Sequence, residues 1–82
     1  MPRLLFFGQL RERASDLHDQ AVAIDARSVA DVLTWIKSRD AELAAALTAK
    51  GVRIAVDQAF AALDAPVGPN SEIAFMSPLS GG

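Results

Sequence analysis

Apolar residues fall along this chain in short alternating runs, interrupted by one long stretch of helical period. Arg3 to Gly8, RLLFFG, is a run of strand-favouring residues closed by a glycine. Alternate residues of a strand share a face, so a solvated Arg3 puts Leu5 and Phe7 outside and Leu4 and Phe6 inside. QLRERAS, from Gln9, predicts a helical turn, and SDLHD a polar loop holding His18. Gln20 to Asp25, QAVAID, alternates with Val22 and Ile24 on one face, which predicts a second strand forming a hairpin with the first.

The helical stretch is SVADVLTWIKSRD, Ser28 to Asp40. Val29, Val32, Leu33 and Ile36 follow the spacing of a buried stripe, and Trp35 lies beside it, at the edge of the core. Ser28 with Asp31 resembles a capping box with aspartate in the acidic role, the cap contributing about 1 kcal/mol. DAELAAALTAKG continues as a second, shorter helix, with Asp40 as N-cap, Gly51 as C-cap, and Leu43, Ala44 and Leu47 against the body.

Alternation resumes in VRIAVD, with Val52, Ile54 and Val56 inward and Arg53, Ala55 and Asp57 outward. A short extended piece over Phe60 to Leu63 leads into a Pro/Gly/Asn turn region. Glu72 to Met76, EIAFM, is the last strand, with Ile73 and Phe75 on one face and Ala74 and Met76 on the other.

Strand, strand, helix, strand, short strand, strand predicts an α+β fold. It is a mixed sheet of about four to five strands, with one main helix and a second short helix across one face. This is the order of the β-grasp, or ubiquitin-like, roll, in which the first and last strands lie side by side as a central parallel pair. Residues 1–76 form the body and residues 77–82, SPLSGG, a flexible C-terminal tail.

Composition narrows the chemistry. The chain has 82 residues, enough for one small domain with a modest core, yet 51% of them are hydrophobic. Surplus apolar surface, such as Leu5 and Phe7, then points to a partner. The net charge of −2 and the scattered lysines and arginines speak against nucleic acid. No apolar segment approaches membrane-spanning length, and the N-terminus reads as a strand rather than a signal peptide, so the cytoplasm is the expected location. With no cysteine there is no disulfide, thiolate metal site or thiol nucleophile. His18 is the one histidine; beside Asp16 and Asp19 it reads as a solvated loop residue, and no metal site is expected. Neither a phosphate-cradling glycine loop nor a nucleophile elbow is present, so a self-contained enzyme is not expected.

The tail offers chemistry of its own. Six residues reach roughly 20 Å. Gly81 and Gly82 let the backbone enter a narrow site without a Cβ clash, and Pro78 stiffens the base of the arm. The arm carries a carboxylate, a poor electrophile that becomes reactive once ATP converts it to an acyl-adenylate.

LLFFGQLRE (Leu4–Glu12), VDQ (Val56–Gln58) and EIAFMSPLSGG (Glu72–Gly82) resemble the small, sulfur-carrier subunits of molybdopterin synthases, over the whole length of the chain. The resemblance implies that Gly82 is adenylated by a ubiquitin-activating-type adenylyltransferase and converted to a thiocarboxylate with persulfide sulfur. ATP would be used by that partner, with no cofactor bound by this chain. It implies docking on a large catalytic subunit, in a heterotetramer of two carriers and two large subunits. Pro78, Leu79, Ser80 and Gly81 would enter the partner's active site, and sulfur would pass to cyclic pyranopterin monophosphate. The family's docking residues fall on Phe7, Phe60 and Met76; strand parity independently turns Phe7 and Met76 outward. The chain departs from the family's pattern at Asp57, commonly asparagine, at Asn70–Ser71, commonly a glycine–aspartate turn, at Met76, often aromatic, and at Ser77, often proline, a change expected to loosen the arm. The alternatives are a carrier for thiamine or cysteine synthesis, thiamine carriers usually having a shorter helical middle, a protein modifier forming isopeptide bonds, and a β-grasp binding module with an inert tail.

Overall fold

In the computed structural model, which describes residues 1–78, the chain forms β1 (Arg3–Phe7), α1 (Gln9–Arg13), β2 (Gln20–Ala21), α2 (Val29–Arg39), α3 (Ala41–Leu47), β3 (Arg53–Val56), β4 (Ala59–Phe60) and β5 (Glu72–Met76). The strands make one mixed sheet in the order β2-β1-β5-β3-β4. β1 and β5 are the parallel central pair, in register from Arg3↔Glu72 to Phe7↔Met76, and every other pairing is antiparallel. The architecture is the expected β-grasp roll.

Register explains the core. Leu4 pairs with Ile73 and Phe6 with Phe75, and all four side chains are fully buried. The two phenyl rings stack at 5.5 Å between centroids. Val29, Val32, Leu33 and Ile36 of α2, with Leu43, Ala44 and Leu47 of α3, complete the same cluster, as their spacing predicts. Trp35 is half-buried at its margin, with the Arg39 guanidinium 5.0 Å from its ring centroid. Val52, Ile54 and Val56 face inward but are only half-buried, lying towards the edge of the sheet.

Four local details differ from the sequence-based expectation. β2 covers two residues instead of six: antiparallel to β1, it runs towards the start of the chain, and after Val22 N–H bonds the Pro2 carbonyl at 2.9 Å little of β1 is left to pair with. The cap of α2 is distributed: Ser28 Oγ accepts the Asp31 N–H at 3.2 Å, while the Asp31 carboxylate accepts the N–H of Arg27. Asp40 caps α3 as expected, accepting Leu43 N–H at 3.0 Å, but α3 closes at Thr48 rather than Gly51. The Thr48 hydroxyl reaches the Ala44 and Ala45 carbonyls, so no left-handed glycine is required there. The extended piece at Phe60 is β4, Ala59–Phe60 only. Asp57 and Gln58 turn the chain with φ of 50° and 72°, the signature of a two-residue hairpin, and Leu63 has already left to accept the Ala30 N–H.

Two departures from the family's pattern have local roles. Asp57 occupies the left-handed turn position and its carboxylate accepts the Glu72 N–H at 2.9 Å, tying the hairpin to the start of β5. Ser71 is buried and satisfied, its hydroxyl accepting the Gly68 N–H at 2.8 Å.

Candidate functional site

The outer face of the sheet follows from the pairing register, because residues directly opposite one another project to the same side. One row runs Leu5, Ala74, Ala55, Phe60 across β1, β5, β3 and β4. The next runs Phe7, Met76, Arg53. Behind both, Arg3 opposite Glu72 forms a charged border. The register thus gathers Phe7, Phe60 and Met76 into one apolar patch at the end of β5 where the chain leaves the sheet.

The patch is shaped by side-chain size. Ala55 and Ala74 form a small-residue floor and are themselves buried, at 7% and 9% exposure. Phe7 and Phe60 rise from its margins at 42% and 68% exposure, and Met76 is half-buried between them. The Arg53 guanidinium lies over the Phe60 ring, 4.2 Å from its centroid. Next to Phe60, a cleft of about 590 Å³ is lined by Leu47, Val52, Ile54, Phe60 and Leu63 among others. Leu63, half exposed, lies in an irregular segment that no periodicity describes, so the sequence alone does not mark it. Ala55 and Ala74 become site residues only once the register is known, whereas strand parity already turns Leu5 outward.

His18 is not the solvated loop residue expected. Its Nδ1 accepts the Phe6 N–H at 2.9 Å, and its ring meets Phe7 edge-on at 6.0 Å. β2 is too short to reach Phe6, so the imidazole supplies the acceptor a longer neighbouring strand would have given. Asp19, beside it, pairs with Arg3 at 2.9 Å.

Ser77 and Pro78 are the first two residues of the expected tail, and both contact the body. Ser77 N–H donates to the Phe7 carbonyl at 3.3 Å, and Ser77 Oγ accepts the Gln9 N–H at 3.0 Å. Where a looser arm was expected at Ser77, the hydroxyl makes bonds a proline would not. Leu79, Ser80, Gly81 and Gly82 lie outside the described residues. Among the described residues no cluster of histidine and acidic side chains is placed to hold a metal ion, and no helix is long and apolar enough to cross a membrane.

Comparison with known proteins agrees with the fold. A model of the ThiS family matches residues 4–82. Among solved structures the chain resembles the crystal structure of SAMP1 from Haloferax volcanii, with a TM-score of 0.80 and 21% identity over 99% of this chain and 98% of that one. At that identity the likeness shows the shared fold. No curated protein sequence matches at a significant level.

Proposed function

The chain belongs to the ThiS family of ubiquitin-like sulfur carriers, and on that premise we propose that it is the sulfur-carrying subunit of a molybdopterin synthase. Members of this family work with an adenylyltransferase and a catalytic partner. The observation that carries the finer reading is the outer-face patch of Phe7, Met76 and Phe60, beside the point where β5 hands over to the C-terminal segment. A partner seated on that patch has the C-terminal segment at its edge. The succession of α2 and α3 supports the same reading over a thiamine carrier, whose helical middle is usually shorter.

The chemistry is that of a terminal carboxylate. ATP converts the Gly82 carboxylate to an acyl-adenylate with release of pyrophosphate. A persulfide sulfur displaces AMP, and a thiol of the donor cleaves the acyl persulfide, leaving a thiocarboxylate and a disulfide on the donor. The large subunit then receives the tail, the thiocarboxylate sulfur bonds to a carbon of cyclic pyranopterin monophosphate, and water cleaves the resulting acyl–sulfur bond, leaving the sulfur on the substrate and regenerating the carboxylate. A chain without cysteine has no side-chain thiol to carry sulfur, so the terminus takes that role.

The test is intact-mass spectrometry after incubation with the activating enzyme, ATP and a persulfide donor. The expected result is the mass gain of one oxygen replaced by sulfur, followed by its loss when the large subunit and cyclic pyranopterin monophosphate are added. Deletion of Gly81–Gly82 is expected to leave docking intact and abolish both changes. A truncated chain that still supports cofactor synthesis would falsify the reading. A thiocarboxylate discharged by a thiazole-forming partner instead would assign the chain to thiamine synthesis.

A further inference from the structure

The point where the chain leaves the sheet is unusually well tied. Ser77 continues the β1–β5 ladder through its N–H, and its hydroxyl donates to the same Phe7 carbonyl at 3.3 Å. The Ser77 oxygen also accepts the N–H of Gln9, the first residue of α1. The N-cap of α1 is Gly8, which has no side chain with which to cap anything. Ser77, 68 residues beyond Gln9, therefore satisfies the N–H of the helix's first residue, one of the N-terminal donors that has no partner within the helix.

Two glycines make room for this arrangement. Gly8 has φ of 71°, and a Cβ built on it would overlap the Ser77 hydroxyl. Gly51 has φ of 91°, and a Cβ there would lie 3.2 and 3.3 Å from Pro78 Cγ and Cβ. Neither glycine caps a helix C-terminus. Together they leave an open slot along which the half-buried Ser77 and the exposed Pro78 run, next to the Phe7–Met76 row of the patch.

We propose that this slot is a positioning device, with Ser77 the residue that sets the direction in which the C-terminal segment leaves the body. It rests on the carrier reading: a carboxylate is useful to two successive partners only if it reaches the same place relative to the surface both recognise. Four residues separate Pro78 from the terminus, a reach of about 13 Å. Over so short a span, a swing at the base moves the end by several ångströms, and misplacement on the scale of 1 Å can cost up to about a hundredfold in rate. Ser77 touches neither ATP nor sulfur and acts through the segment it aims.

The test uses the full chain with a ubiquitin-activating-type adenylyltransferase from the same genome and ATP, reading pyrophosphate release as a function of carrier concentration. For Ser77→Ala the expected result is a KM for the carrier within about twofold of wild type, because the patch is untouched, and a kcat lower by about tenfold. Ser77→Thr, which keeps the hydroxyl, is expected to restore most of that kcat. In the same samples the Gln9 amide should exchange faster with solvent in Ser77→Ala than in wild type or Ser77→Thr. An active wild type with an equally active Ser77→Ala overturns the positioning role alone, as does a Ser77→Ala whose loss lies in KM or is not rescued by threonine. A wild-type chain that releases no pyrophosphate overturns the carrier reading, and this role with it.

Discussion

The two faces of the sheet are built from the same strands, often from neighbouring residues, yet one is closed and the other open. On the inner face Leu4, Phe6, Ile73 and Phe75 are fully buried beneath the helices. On the outer face Phe7, one residue from Phe6, is 42% exposed, and Phe60 is 68% exposed. Both faces carry large apolar side chains, so hydrophobicity alone does not separate structure from function here. Size does: large side chains fill the inner face throughout, whereas the outer face sets two alanines between aromatic margins. That profile leaves a shallow seat for another surface. Each wet aromatic or methionine forgoes about 1.5–3 kcal/mol of burial, and a partner that covers the patch recovers part of it.

The contrast can be broken most forcefully from the inside. Phe75→Ala is expected to cost about 3–5 kcal/mol of folding stability, because it removes a stacked, fully buried ring from the central pair. Urea unfolding checks it; a loss below about 1 kcal/mol would mean the inner face is not the structural one. Next in size is His18→Ala. It leaves the Phe6 N–H without its acceptor, and the expected cost is about 1–3 kcal/mol in the same assay. Phe7→Ala should invert the pattern, with stability changed by about 0.5 kcal/mol or less and docking to the large subunit weakened by at least about 1 kcal/mol in calorimetry. An unchanged dissociation constant would remove the outer face from the interface.

Much of this division is legible in the sequence. Parity in RLLFF and EIAFM separates inner from outer residues correctly, and the stripe from Val29 to Ile36 identifies the helix that closes the inner face. Strand extent was less legible, because it depends on how much partner strand remains: QAVAID alternates over six residues but finds β1 for only two. Phe60 joins the patch only through the Ala55↔Phe60 register, and no local pattern states a register. The bonds made by His18 and Ser77 are illegible in the sequence for a common reason. Each satisfies a backbone N–H far away in sequence, Phe6 and Gln9 respectively, and a long-range capping bond leaves no periodicity to read.

The finest probe of the outer face is Arg53. Its guanidinium lies 4.2 Å from the centroid of the Phe60 ring, so one side of this exposed aromatic is already occupied in the free protein. If the stacking pre-orients Phe60 for docking, part of the ordering cost is met before the partner arrives. Exposed cation–π pairs contribute about 0.5–1 kcal/mol, so Arg53→Ala should weaken docking by that order, less than Phe60→Ala does. A double-mutant cycle separates the two contributions: with Phe60 already alanine, replacing Arg53 should change affinity by less than about 0.3 kcal/mol. Full additivity would mean that Arg53 contacts the partner on its own account, and the patch would then need a charged border on this side, matching that of Arg3 and Glu72 at the other end.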